Sequence, residues 1–205
     1  IWKGLVGSEM CIRDRPNGPV LWYRPVRRAV LPLDALRVAD SLRRVVRSRR
    51  FDIRVNTAFV ETITACSAPR SGESENGVWL DARLQALLVE AHHAGRAHSV
   101  EAWRDGALVG GLYGLSFGSA FLGESMFHRP PAGRDASKVA LVHLCHGLQE
   151  AGYTLLDAQI KNEHTERLGV VEWDRLRFEE AFEVACQMPD RMTEAIPAIR
   201  RGPFG

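Results

Sequence analysis

Residues 98–127, HSVEAWRDGALVGGLYGLSFGSAFLGESMF, alternate apolar and polar positions in three runs. A period of two predicts strands, because successive side chains on a strand point to opposite faces. The first two runs are divided by Asp105-Gly106, a strong two-residue hairpin signal, and the second two by a turn near Gly118-Ser119. Three strands in a meander follow. After a proline-rich loop, residues 136–151 take helical spacing, with Val139, Val142, Leu144, Cys145 and Leu148 toward a core and Gly152 as a stop. A last strand is expected over 154–161. Upstream, residues 32–48 predict a helix with Leu36, Ala39, Leu42, Val45 and Val46 on one side and Pro32 near its start. A strand carrying Ile53 and Val55, a short helix over 57–66 and a second helix over 80–95 come next, the latter with Leu84, Leu87, Leu88 and Ala91 inward. Residues 69–77 read as a loop. Residues 172–189 predict a helix with Leu176, Phe178, Phe182 and Ala185 as its core side, and the chain from Asp190 onward shows no assignable pattern.

The same alternation raises a question of chemistry. It places Glu124 on one face with Leu122 and Met126, and Asp157 and Gln159 beside Leu155. Burying a carboxylate costs several kcal/mol unless it is paired or hydrogen-bonded. Two strands that each carry an acid among apolar neighbours therefore suggest a polar pocket in the sheet; a simply solvated face is the alternative.

At 205 residues the chain can bury a substantial core, and no apolar run approaches the ~20 residues that span a bilayer, so no membrane association is expected. The net charge of +2 hides a local excess: Arg37, Arg43, Arg44, Arg47, Arg49, Arg50 and Arg54 are opposed there only by Asp34, Asp40 and Asp52. Such a cluster is either the solvated side of a helix or a surface for RNA phosphates. Cys11, Cys66, Cys145 and Cys186 are scattered without paired spacing, which predicts reduced thiols in a cytoplasmic protein. His92-His93 and His143-x-x-His146 beside Cys145 lack the further ligands that a zinc site needs, so no metal is expected.

Several motifs stand in a fixed order: Trp79, His98-Ser99-Val100-Glu101-x-Trp103, Leu108-Val109-Gly110-Gly111-Leu112-Tyr113-Gly114, Gly123-Glu124-Ser125-Met126-Phe127, Ala136-Ser137-Lys138, and Asp157-x-Gln159 followed by Asn162-x-His164-Thr165-x-x-Leu168-Gly169. Together they resemble the leucyl/phenylalanyl-tRNA protein transferases, collinearly from about residue 19 to about residue 189. The resemblance implies an α/β (α+β) chain with a GNAT-like acyltransferase fold, its mixed, largely antiparallel sheet flanked by helices. The strand, strand, strand, helix, strand order matches that core. It also implies transfer of Leu or Phe, less often Met, from aminoacyl-tRNA to the N-terminal amine of proteins beginning with Arg or Lys, marking them for degradation, with no cofactor and a monomeric enzyme. Asp157, Gln159 and Glu124 match the family's catalytic positions. Met126, Phe121, Leu141, Leu144, Leu148, Leu156 and Trp79 match the pocket for the donor side chain. Arg37, Arg43, Arg44, Arg47 and Arg50 become the expected tRNA contacts.

The family's small N-terminal domain is largely missing before the stretch Val20-Leu21-Trp22-Tyr23-Arg24-Pro25, which implies a truncated homologue. The expected division is residues 1–15 as a non-family tag or artefact, 16–30 as a remnant of the small domain, and 31–205 as the transferase domain. Asp135 stands where the family has Asn, in a loop three residues longer, and Leu144 and Leu148 replace aromatics. Two other readings compete. One is a GNAT-like transferase with another acyl donor, against which the loop His128-Arg129-Pro130-Pro131-Ala132-Gly133-Arg134-Asp135 argues, since it lacks the glycine pattern that binds a coenzyme A pyrophosphate and its prolines remove N–H donors. The other is an inactive tRNA-binding remnant.

Overall fold

The expected meander is the middle of a seven-stranded sheet. A computed structural model describes residues 12–13, 21–22, 25–68, 80, 82–161 and 163–204. Among the described residues, strands β1 (Ile12–Arg13) and β2 (Leu21–Trp22) pair with each other in a separate two-stranded sheet. The main sheet contains β3 (Arg27–Val30), β4 (Asp52–Val55), β5 (Ala97–Arg104), β6 (Ala107–Phe117), β7 (Ala120–His128), β8 (Leu155–Gln159) and β9 (Val171–Asp174). Its spatial order is β4-β5-β6-β7-β8-β3-β9. Every neighbouring pair is antiparallel except β7 and β8, which run parallel. A parallel pair needs a crossover, and α4 (Ala136–Glu150) supplies it. Asp105 and Gly106 both take positive φ, 51° and 78°, as a type I′ turn between β5 and β6 requires.

Helices cover both faces. On one, α1 (Asp40–Arg47), α4 and α7 (Met192–Arg201) bury Leu42, Val46, Val139, Leu144, Leu148, Met192 and Ile199 against Val100, Leu112, Phe121 and Leu156 of the sheet. On the other, α2 (Phe59–Ser67) and α3 (Ala82–His93) pack Phe59, Ile63 and Leu88 on Tyr113, Leu115 and Leu122. Past the short helix α5 (Glu163–Arg167), helix α6 (Arg175–Gln187) adds Phe178 and Ala185 over Val30, Ala120 and Leu155. Phe182 touches both of these latter clusters and joins them.

Four elements differ from their sequence signals. The helix expected from residue 32 begins at Asp40; only a 3-10 turn, Leu33–Ala35, precedes it. The Arg37 N–H donates to the Leu168 carbonyl at 2.9 Å, which draws the chain out of helical geometry while Leu33, Leu36 and Val38 still pack on the core. Residues 171–174 form strand β9 instead of the first turn of a helix, because β3 offers them an edge to pair with. Leu176 then points outward, 66% exposed, as does the inward-expected Leu87 of α3. The unassigned tail carries α7, whose Met192, Ala195, Ala198 and Ile199 form a buried stripe despite Pro197 within the helix. Strand β3, on the N-terminal side of the expected boundary at residue 31, lies inside the sheet between β8 and β9.

Candidate functional site

Where β7 and β8 part, a cavity opens. Their backbone pairing runs through Ala120–Leu155, Phe121–Leu156 and Leu122–Asp157 and ends there. Beyond that point a cavity of about 900 Å³ lies between strand β7 from Gly123 onward on one side and residues 157–160 on the other, with Arg134, Asp135, Ser137, Lys138, Thr165 and Val170 also contributing to it. Its apolar wall is Leu31, Leu112, Met126, Leu141, Leu144 and Leu156. These side chains belong to, or pack on, the core under α4.

Two bulges shape the polar end. Tyr113 pairs with Ser125 and Gly114 with Gly123, so Glu124 is an extra residue opposite no partner. A bulge reverses the alternation beyond it. Leu122 accordingly packs under α2 and α3 while Met126 packs toward α4, so the common face expected for Leu122, Glu124 and Met126 does not form. Gly114 makes this possible: a Cβ there would sit 2.3 Å from the Leu122 carbonyl oxygen and 2.4 Å from the Phe121 ring. On β8 the register against β3 jumps from Val30–Asp157 to Ala29–Gln159, and Gln159 takes φ 62°. Bulges of this kind re-aim side chains.

The consequence is a connected chain of polar groups. Arg28 holds Asp157 with Nε 3.0 and 2.9 Å from the two carboxylate oxygens and Nη2 2.5 Å from Oδ2. The pair is closed to solvent, at 4% and 0% exposure. Oδ1 of Asp157 also accepts the Gln159 backbone N–H at 2.8 Å, and Gln159 Nε2 donates to Glu124 Oε2 at 2.8 Å. Burial pushes the Asp157 carboxyl up from its ordinary value, while Arg28 and the Gln159 N–H draw it back. Protonating it would strand the Arg28 cation in the core, so the two persist as an ion pair at neutral pH. Burial pushes Glu124 up to about 7; the Gln159 bond lowers it and the Asp157 charge raises it.

Among the described residues, two polar atoms at this end of the cavity are buried without a hydrogen-bond partner: Glu124 Oε1 and the Tyr113 hydroxyl. Burial first, and the Glu124 charge second, push the Tyr113 phenol well above its ordinary value, so it remains a neutral donor. Unmet buried groups in a cavity are groups that a ligand can satisfy. The mouth is basic: His128, Arg134 and Lys138 line it, with Asp135 bound to Lys138 at 3.1 Å. The site can therefore take an apolar side chain against its leucine wall, a cation or neutral amine at Glu124, and an anion at its mouth.

The structure brings Glu124, Asp157 and Gln159 together and puts Met126, Leu141, Leu144 and Leu156 on the cavity wall. Phe121 and Leu148 are fully buried in the core behind that wall and do not line it. Trp79 lies outside the described residues. Arg37, Arg43, Arg44, Arg47 and Arg50 are all exposed, on and around α1. Glu101 of the HSVE run serves the fold: it accepts the backbone N–H groups of Thr57 and Ala58 and the hydroxyl of Ser99, fixing the start of α2. His92 stacks on Phe59, and His143 Nδ1 donates to the Ile199 carbonyl, so both have structural partners. Sequence reasoning missed Arg28 and Tyr113. Alternation of Arg28 with Val30 was the available signal for the first; only the bulge reveals the second.

The sequence matches the leucyl/phenylalanyl-tRNA protein transferase family over residues 30–183. A leucyl/phenylalanyl-tRNA protein transferase of Chlorobaculum tepidum is 50% identical over 159 residues, covering 78% of this chain and 79% of that one. One from Nitratidesulfovibrio vulgaris is 46% identical over 178 residues, or 86% and 74% of the two chains. One from Rhodopseudomonas palustris is 47% identical over 165 residues, or 80% and 70%.

Proposed function

The chain belongs to the leucyl/phenylalanyl-tRNA protein transferase family, and on that premise we propose that the cavity between β7 and β8 joins the aminoacyl end of leucyl- or phenylalanyl-tRNA to the N-terminal amine of a protein beginning with Arg or Lys. The parting of two parallel strands supports a GNAT-like reading of the sheet, in which an acyl donor and an amine meet at the opening. The donor's Leu or Phe side chain lies against Met126, Leu141, Leu144 and Leu156. Phe121 and Leu148 support that wall from behind.

In the reaction, the amine nitrogen attacks the ester carbonyl carbon, a C–N bond forms, the C–O bond to the ribose breaks, and the ribose oxygen takes up a proton as the amine loses one. An ester is already activated, so positioning and charge stabilisation suffice. Gln159 contacts the attacking amine through its side-chain oxygen, its nitrogen being committed to Glu124. Asp157, fixed by Arg28, holds the Gln159 backbone and so aims the amide. Glu124 binds the cationic acceptor end and assists the proton transfer. Arg37, Arg43, Arg44, Arg47 and Arg50 contact the tRNA backbone.

The observation that carries this reading is the chain Arg28, Asp157, Gln159, Glu124 at the polar end of a leucine-lined cavity. Single-turnover transfer by the Asp157→Ala and Gln159→Ala proteins tests it. Each is expected to lose about 100-fold or more when assayed at a temperature at which circular dichroism shows the variant folded. Wild-type turnover in either would refute the assignment.

A further inference from the structure

Behind the cavity mouth, on the face covered by α1, α4 and α7, runs a second groove of about 380 Å³. Its floor is apolar, with Val46, Ile53 and Val139, and its rim is cationic: Arg49 from the turn that follows α1, and Arg200 and Arg201 from the last turn of α7. Arg200 and Arg201 on their own are what a helix C-terminus favours, since cations there offset the helix dipole. Their convergence with Arg49, from an element about 150 residues earlier in the chain, is a different matter. Among the described residues neither Arg49 nor Arg200 makes an ion pair, and Arg201 reaches Glu150 only at 4.0 Å. The three arginines thus line one groove with little carboxylate to balance them. Asp52, the acid on the rim, is bound to Arg54 at 2.7 Å.

The groove is continuous with two features already described. Phe204 forms one wall, and the guanidinium carbons of Arg47 and Arg43 of α1 lie 5.2 and 5.9 Å from its ring centre. Arg50 bridges toward the cavity: its guanidinium lies over Phe51 of the groove and donates to the backbone oxygen of Arg134 at 2.6 Å, and Arg134 lines the cavity mouth. Arginines therefore stand at the mouth (Arg134), between the two openings (Arg50, which also pairs with Asp135 at 3.8 Å) and in the groove (Arg49, Arg200 and Arg201). A ligand whose reactive end occupies the cavity and whose polyanionic body leaves through the mouth would meet them in that order.

We infer that this groove binds the phosphodiester backbone of the donor RNA, so that Arg49, Arg200 and Arg201 are RNA contacts in addition to the α1 arginines. The inference rests on the reading of the cavity as the aminoacyl-tRNA site. Phosphate contacts of this kind position an RNA without reading its sequence, and they release counterions, so binding falls with salt by a slope of about 0.7 to 0.9 for each contact.

The test is the affinity of the full chain for uncharged tRNA as a function of salt, for the wild type, Arg200→Glu/Arg201→Glu, Arg49→Glu and, as a control, Arg177→Glu on α6 of the opposite face. The double variant and Arg49→Glu are each expected to bind about tenfold or more weaker near 100 mM salt with a shallower salt slope, whereas Arg177→Glu binds as the wild type does. Because Arg49 and the Arg200-Arg201 pair lie on different elements, misfolding of one variant leaves the other to decide. Wild-type affinity and slope in the groove variants overturn the inference, and so does an equal loss in Arg177→Glu, which would mark the effect as one of net charge. Uncharged tRNA keeps the result apart from the chemistry: failure of transfer would refute the cavity reading while this binding comparison still decides the groove.

Discussion

Glu124 carries the clearest prediction at the scale of a single residue. Its folded-state value of about 7 lies above the ordinary carboxyl value of ~4.3, so between those pH values the folded chain holds a proton that the unfolded chain has lost. This term destabilises the protein progressively as pH rises through that window and is constant above it. Glu124→Gln removes it, and urea denaturation should find the variant more stable than wild type at pH 8 by on the order of 3 kcal/mol, with the gap closing below about pH 4.5. Activity should move the other way: kcat/KM for an Arg-initiated peptide rises through about pH 7 in the wild type, and that limb is missing in the variant. The Arg28–Asp157 pair gives a second test. Asp157→Asn leaves a buried cation without its counter-charge and should cost about 3–5 kcal/mol. Arg28→Met/Asp157→Leu should recover most of that stability and none of the activity, separating the pair's structural role from its part in positioning Gln159. Spacing was enough to single out Glu124, Asp157 and Gln159 as acids and amide in apolar surroundings. It could not show Arg28, because the partner of a buried charge lies 129 residues away in sequence and is fixed only by sheet order.

At the scale of elements, the bulges decide what the strands can do. Regular alternation would have kept Glu124 in register with Leu122; the extra residue opposite Tyr113–Gly114 turns it toward Gln159 instead. Gly114→Ala would press a Cβ on the Leu122 carbonyl and the Phe121 ring. It should cost about 1–3 kcal/mol in thermal or urea unfolding and lower kcat for transfer more than it raises KM for tRNA, since the displaced residue is Glu124. The meander, the crossover helix α4 and its buried stripe were legible because each shows a clean period of two or 3.6 over a long run. Strand β9 was not, since Glu172 and Trp173 become a strand only through pairing with β3. Helix α7 was hidden by Pro197 and by alanines that carry little periodic signal, and its hold on α4 comes from Gly147, where Ile199 packs against the bare backbone.

For the molecule as a whole, two buried groups oppose each other in pH dependence. Burial lowers His98 to about 4, and the ring stays neutral while it accepts from Asn56 Nδ2 and donates to the Gly95 carbonyl. The unfolded chain protonates this histidine near 6.5, so its contribution is complete above that pH and is lost as pH falls toward 4. Glu124 acts in the reverse sense over nearly the same window. Stability of the wild type should therefore change little between pH 4.5 and 6.5 on account of these two groups, while Glu124→Gln shows a steeper gain with rising pH across that range. The seven-stranded order with one parallel pair placed the cavity, and no local pattern in the chain encodes where β7 and β8 separate. The central claim, that this opening joins an aminoacyl ester to a protein amine, is tested most directly by following radiolabelled leucine from leucyl-tRNA to a peptide beginning with Arg and to the same peptide beginning with Gly. Label on the Arg peptide alone is the predicted result; label on neither peptide, or on both equally, contradicts the account.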